Sequence, residues 1–171
     1  MPTMAKTRPS DAVDKQVFNV LGVLVEFLAT PDEVGAETCL IRGTLPREVI
    51  VPLHSHAEPE MFYVLEGSLE VFRSNDGKTG WTTARVGEVV TIPGTIKHAL
   101  RNSSSRAVAL ITVTQSGLYE LFRELAKPFD PNQPAAPPTP EAMQQLFEAA
   151  AKYGYWLASP EENAAIGLPI G

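Results

Sequence analysis

From residue 17 to about 115 the chain is a succession of short runs rich in Val, Ile, Leu, Phe and Thr, parted by Gly, Pro, Asn and Asp. No other feature constrains its fold as much. Branched and aromatic side chains suit a pleated, half-buried surface, and the intervening residues accept the tight backbone angles of turns, so each run predicts a β-strand. The expected strands cover 20–28, 37–45, 49–56, 60–65, 69–73, 81–84, 88–92, 97–102 and 108–114. Strands at this spacing predict an all-β sandwich or small barrel. The turn Glu66-Gly67 and the loop Ser74-Asn75-Asp76-Gly77 carry residues that tolerate positive φ, and they fix the register of the strand between them.

After Ser116 the apolar period changes. Leu118, Leu121, Phe122 and Leu125 recur at helical spacing and predict a short amphipathic helix. Six of the 15 prolines then fall between Pro128 and Pro140, which keeps that stretch extended. Thr139 as N-cap and Pro140 in the first turn start a second helix, with a stripe of Met143, Leu146, Phe147, Ala150 and Tyr153 ending at Gly154. Ser159-Pro160-Glu161-Glu162 has capping-box spacing and predicts a third, very short helix closed by Gly167. The expected organisation is an N-terminal arm (1–16), a β-barrel (17–116) and a C-terminal helical extension (117–171) containing a Pro-rich linker (128–140).

Composition removes several function classes. The 14 Lys and Arg against 20 Asp and Glu leave a net charge of -6 with no basic block, so nucleic acid is not an expected partner. The most apolar stretch, 17–29, is broken by Asn19 and Glu26 and is too short to span a membrane. It also lacks the uninterrupted apolar core and short basic start of a signal peptide. The single cysteine, Cys39, excludes a disulfide framework within the chain and fits a reducing, cytoplasmic setting. In a strand before Leu40 and Ile41, it is expected to be a small core residue.

The chemistry concentrates in the histidines. Two of the three form His54-Ser55-His56, with Glu60 close behind, and the third is His98. Residues two apart on a strand share a face, so His54 and His56 present two imidazoles about 6 to 7 Å apart along the backbone. Imidazole with carboxylate suits a first-row transition metal, and an incomplete ligand set leaves positions for substrate or O2. Calcium fits three imidazoles poorly. Glu58 shares parity with His56 and Glu60, but Pro59 marks a bulge or strand edge that swings one of the two glutamates away; Glu58 is expected to be a solvated loop carboxylate. Glu66 is expected at a hairpin shoulder. Phe62, Val64 and Val71 suit either an apolar wall near the histidines or plain core, and Asn102 either holds a loop or supports the site from behind.

The stretch His54-x-His56-x3-Glu60-x6-Gly67, followed by Gly87-x5-Pro93, then His98 and Asn102, resembles the two signature motifs of the cupin superfamily. The resemblance covers roughly 20–115. It implies a double-stranded β-helix, or jelly-roll, barrel in which His54, His56, Glu60 and His98 surround one divalent transition metal ion: Fe, Ni, Mn, Zn, Cu or Co. Two glycine positions of the pattern depart from it, being Glu48 and Thr95 here, with Gly94 beside the second. Both are turn positions, where glycine permits unusual backbone angles. The short chain, its C-terminal helices and the segment 119–126 look like the small quercetin dioxygenase-like cupins. That likeness implies a dioxygenase acting with O2 on a small phenolic, enolic or related organic substrate, Glu60 binding metal and also taking the substrate's hydroxyl proton. Thiol dioxygenases, which resemble this fold without the glutamate, fit less well. The alternatives are a non-catalytic metal- or small-molecule-binding module and a metal-dependent isomerase or decarboxylase. Edge strands and apolar outward residues such as Met61, Tyr63 and Leu65 need covering, by the C-terminal helices or by a second chain, and a homodimer is expected.

Overall fold

The computed structural model describes residues 16–75, 77–133 and 136–169, so most of the expected N-terminal arm (1–16) lies outside the described residues. In chain order the elements are β1 (Phe18–Val20), β2 (Val23–Ala29), α1 (Pro31–Val34), β3 (Thr38–Leu45), β4 (Ile50–Ser55), β5 (Glu60–Glu66), β6 (Ser68–Asn75), β7 (Lys78–Arg85), β8 (Val89–Ile92), β9 (Lys97–Arg101), β10 (Val108–Gln115), α2 (Ser116–Leu125), β11 (Lys127–Pro128), α3 (Pro140–Tyr153), β12 (Trp156–Leu157) and α4 (Pro160–Ala165). The strands pair antiparallel in two sheets, ordered β11-β1-β2-β3-β10-β5-β8 and β12-β4-β9-β6-β7. The architecture is an all-β jelly roll followed by C-terminal helices.

Each expected strand is present, and one is split. The run 20–28 is two strands turned back at Leu21 and Gly22, both at positive φ (52° and 95°), with the Gly22 N–H bonded to Asn19 Oδ1 at 2.8 Å. Leucine gives no turn signal, so the run reads as continuous. The turn α1 was likewise not expected, although Thr30-Pro31-Asp32-Glu33 forms a complete capping box.

Alternate residues of the facing strands fill the space between the sheets. Leu45, Phe62, Val64, Leu69, Val71, Leu100 and Leu110 pack as one cluster, so Phe62, Val64 and Val71 are core. Farther along the same face of the seven-stranded sheet, Cys39 and Ile41 join Val25, Phe27, Leu118, Leu121 and Ala149. Helices α2 and α3 therefore close that end of the barrel. Cys39 is fully buried there, and burial pushes its thiol up to about 11. The α3 seam runs through Leu146, Ala149 and Tyr153, whereas Phe147, expected in the stripe, is exposed; α3 lies against α2 along a narrow line that leaves its flank in solvent. The outer face of the five-stranded sheet is covered by α4 and the residues after it, where Leu168 and Ile166 pack on Leu53, Phe72 and Trp81.

The two departures from glycine have a backbone signature. Glu48 and Thr95 both adopt left-handed φ (65° and 69°), which costs an L-residue about 1 to 2 kcal/mol. Glu48 is held there by Asn102, a fully buried side chain whose Nδ2 donates to the carbonyls of Leu45, Pro46 and Arg106 and whose Oδ1 accepts from Ser104. The Asn102 carbonyl accepts the Glu48 N–H at 3.0 Å. Asn102 thus clamps a loop. Glu48→Gly is expected to stabilise the fold by about 0.5 to 1 kcal/mol, strain relief outweighing the glycine's entropy, and to raise Tm by about 2 to 4 °C for each kcal/mol. An unchanged or lower Tm on thermal unfolding would refute the strain.

Candidate metal centre

Proline 52 interrupts β4, and because it has no N–H the ladder with β9 slips there: Val51 faces Leu100, but His54 faces His98. The slip corrects the parity of β4, so Val51 and His54 both turn inward, and His56, two residues on, follows. Glu60 opens β5 in the facing sheet, opposite Ile92. The site therefore lies between the two sheets at one end of the barrel, with the Phe62 and Val64 cluster beneath it.

All four sequence-expected residues meet there. One ligand atom from each of His54, His56, Glu60 and His98 lies within 4.8 Å of the others. His56, Glu60 and His98 are buried and His54 is half-buried. Each histidine turns its Nδ1 to a backbone carbonyl: His54 to Pro52 at 2.6 Å, His56 to Glu58 at 2.8 Å and His98 to Ile96 at 2.8 Å. A carbonyl only accepts, so each Nδ1 carries a proton and each Nε2 is left to bind something else. His98 Nε2 lies 3.0 Å and His56 Nε2 3.2 Å from Glu60 Oε2. Lone pairs so disposed repel unless a cation or an imidazolium proton lies among them.

His56 Nε2 is buried and without a hydrogen-bond partner, as expected of a ligand atom aimed at a metal. The donor set, three imidazoles and one carboxylate, fits a divalent transition ion. Burial, with His98 and His56 beside it, pushes His54 down to about 3. Burial opposes charge on His56 too, but Glu60 outweighs it and raises this imidazole above its usual value. Burial would raise Glu60, yet the imidazoles of His56 and His98 hold it at about 2. Glu60 is thus a carboxylate and His54 a neutral imidazole at physiological pH.

Glu58 corrects the sequence expectation. It is not a solvated loop carboxylate: its side chain is 16% exposed and Oε2 is fully buried. The segment bends at Pro59 as expected, but the C-terminal extension covers the bend. Glu66 is exposed beside Gly67, at the hairpin shoulder. Sequence reasoning missed Tyr155, whose ring centroid lies 5.5 Å from that of His56; no local pattern around it signals proximity to a strand a hundred residues earlier. A groove of about 440 Å³ beside Glu60 is lined by Pro59, Met61, Ile92, Pro93 and Val113 among others.

No curated protein matches the chain. Among solved structures it is similar to an RmlC-like cupin from Shewanella frigidimarina, at 17% identity over 62% of this chain and 87% of that one, with a TM-score of 0.51. It is also similar to the oxalate decarboxylase of Lactobacillus farciminis (16% identity, 60% and 31% covered, TM-score 0.52) and to Drosophila melanogaster CENP-C bound to CAL1 (17%, 61% and 83%, 0.52). At such identities the likeness is one of fold. No helix among the described residues is long and apolar enough to cross a membrane. The family model described as the cupin domain matches residues 43–114, a span that includes all four converging side chains, and the chain accordingly carries a cupin domain.

Proposed function

We propose that this chain is a mononuclear metal-dependent dioxygenase acting on a small phenolic, enolic or related organic substrate, with His54, His56, His98 and Glu60 holding one divalent transition ion. The observation that carries the reading is the fixing of three Nδ1–H groups on backbone carbonyls, which turns three Nε2 atoms toward Glu60. When bound, the ion supplies positive charge and open coordination positions for substrate and O2. Glu60 accepts the substrate's hydroxyl proton at a carboxylate oxygen, the one acidic side chain among the four that converge on the site. The buried Cys39 thiol is in keeping with a cytoplasmic setting.

Metal content of protein purified without chelator, compared with a His54→Ala, His56→Ala double variant, is expected to be near one ion per chain and near zero respectively. Equal content in both would overturn the ligand set. Oxygen uptake against a panel of phenolic, enolic and acidic compounds then tests the dioxygenase. Metal retention with no uptake on any of them favours a binding module, a reading to which the low exposure of His56, Glu60 and His98 lends weight.

The proposed functional unit is a homodimer. Met61 and Tyr63 are exposed on the outer face of the seven-stranded sheet, beside Val89 on the edge strand β8. The C-terminal helices pack elsewhere, on Cys39 and Ile41 and on Leu53 and Phe72, which leaves this face to a second copy. Sedimentation equilibrium is expected to give the dimer mass at micromolar concentration. A monomer there would refute it.

A further inference from the structure

Two buried polar groups beside the metal cluster are left over once the four converging side chains are accounted for. Glu58 Oε2 and the Tyr155 hydroxyl are both fully buried and neither has a hydrogen-bond partner. They crowd one point: a Cβ built on Gly117 would overlap Glu58 Oε1 and lie 3.2 Å from the Tyr155 hydroxyl. Glu58 Oε2 is also 3.9 Å from His56 Nδ1, on the side of the imidazole away from the converging side chains; the Nδ1–H itself donates to the Glu58 carbonyl at 2.8 Å, so the carboxylate acts on the ring through its charge and by fixing the residue that supplies that carbonyl.

The three residues come from separate parts of the fold. Glu58 lies between β4 and β5, and Gly117 is in the first turn of α2. Tyr155 follows the Gly154 cap of α3 and leads directly into β12, where Trp156 pairs with Ser55 and Leu157 with His54. The C-terminal extension is thus laid along the strand that carries the two histidines, with the Tyr155 phenol placed against the Glu58 carboxylate. Unpartnered buried groups are costly, and a donor beside an acceptor removes both penalties by a small side-chain rotation.

We propose that Glu58 and Tyr155 are positioning residues for His56: the Tyr155 hydroxyl donates to the Glu58 carboxylate, which supports the Nδ1–H side of the imidazole, so that docking of the C-terminal extension prepares the metal site. The inference rests on the metal-centre reading above. A carboxylate behind a ligating histidine fixes ring orientation and increases ligand basicity, and loss of such support lowers metal affinity by about 10- to 100-fold. Gly117 is part of the device, because any larger residue there would displace Glu58.

Cobalt(II) affinity of the full chain, measured by competition with a chromophoric chelator, tests it. Tyr155→Phe and Glu58→Gln are each expected to weaken binding by about 10- to 100-fold, and the double variant by no more than the worse single one, since the two act as a unit. Gly117→Ala is expected to weaken binding in the natural background but not in a Glu58→Ala background. Ser159→Ala removes the capping box of α4 in the same extension without touching His56, and its affinity is expected to be unchanged. Unaltered affinity in both Tyr155→Phe and Glu58→Gln would overturn the positioning role and leave the metal centre standing. So would an equal loss in Ser159→Ala, because loosening of the extension would then suffice. Failure of the unaltered protein to bind cobalt(II) at all would overturn the metal centre, and the positioning role with it.

Discussion

Glu60→Gln is expected to lower kcat by about 10²- to 10⁴-fold on any substrate of the proposed dioxygenase, the usual contribution of a general acid or base, while metal content falls far less. Glutamine keeps the size and hydrogen-bonding shape of the side chain but is not a base at any physiological pH. Three imidazoles remain, each already oriented by a backbone carbonyl, and they suffice to hold a divalent ion. The remaining nearby carboxylate, Glu58, projects behind His56 toward Gly117 and Tyr155 and is not placed to substitute. The measurements are oxygen consumption at saturating metal and elemental analysis of the same sample. An unchanged kcat would remove Glu60 from the chemistry. Loss of activity in Glu58→Gln at saturating metal, with Glu60→Gln active, would reverse the roles of the two carboxylates.

Gly94→Ala is expected to be the most damaging single methyl addition in the site region. A Cβ at this position would collide with the carbonyl oxygen of Ala57, which is backbone and cannot rotate aside. Relief requires moving either the loop after β8 or the segment joining His56 to Glu60, and the two are tied by the Thr95 N–H bond to the His56 carbonyl at 2.7 Å. The expected cost is about 3 kcal/mol, at the upper end for overpacking, which lowers Tm by about 2 to 4 °C per kcal/mol in a chain of this size. Metal retention should fall with it, because the displaced segment carries two of the four proposed ligand residues, His56 and Glu60. The adjacent change Thr95→Gly should act in the opposite direction, since it releases a β-branched residue from left-handed φ. Thermal unfolding of both variants would refute this picture if Gly94→Ala unfolded at the same temperature as the unaltered protein.

How much of this was legible in the sequence depended on whether the governing interaction was local. Alternation along 37–45 and 60–65 located β3 and β5 within a residue or so, because one face of each is buried. Thr139-Pro140 and Ser159-Pro160 announced α3 and α4, since caps are chemistry between residues three apart. The convergence of His54, His56, Glu60 and His98 was legible through the motif spacing. The bulge at Pro52 that turns His54 inward is visible only in the register. Long-range placement was illegible. Strands β11 and β12 are two residues each and exist because β1 and β4 offer edges. Glu58 was misjudged for the same reason: its surroundings are made by Gly117 and Tyr155, which no pattern near residue 58 encodes.

The pairing of β12 with β4 also orders events during synthesis. Until Trp156 and Leu157 have been made, the strand bearing His54 has an open edge, and the Leu53 N–H lacks the Asn163 Oδ1 that accepts it at 2.9 Å, 110 residues later. A chain growing from its N-terminus completes all ten strands of the barrel while that edge is still bare, and an unpaired edge invites pairing with another nascent chain. Closing so long a loop is also slow. Residues 156–163 thus act as the final fastening of a structure whose histidines were translated much earlier, and their removal exposes the histidine-bearing strand.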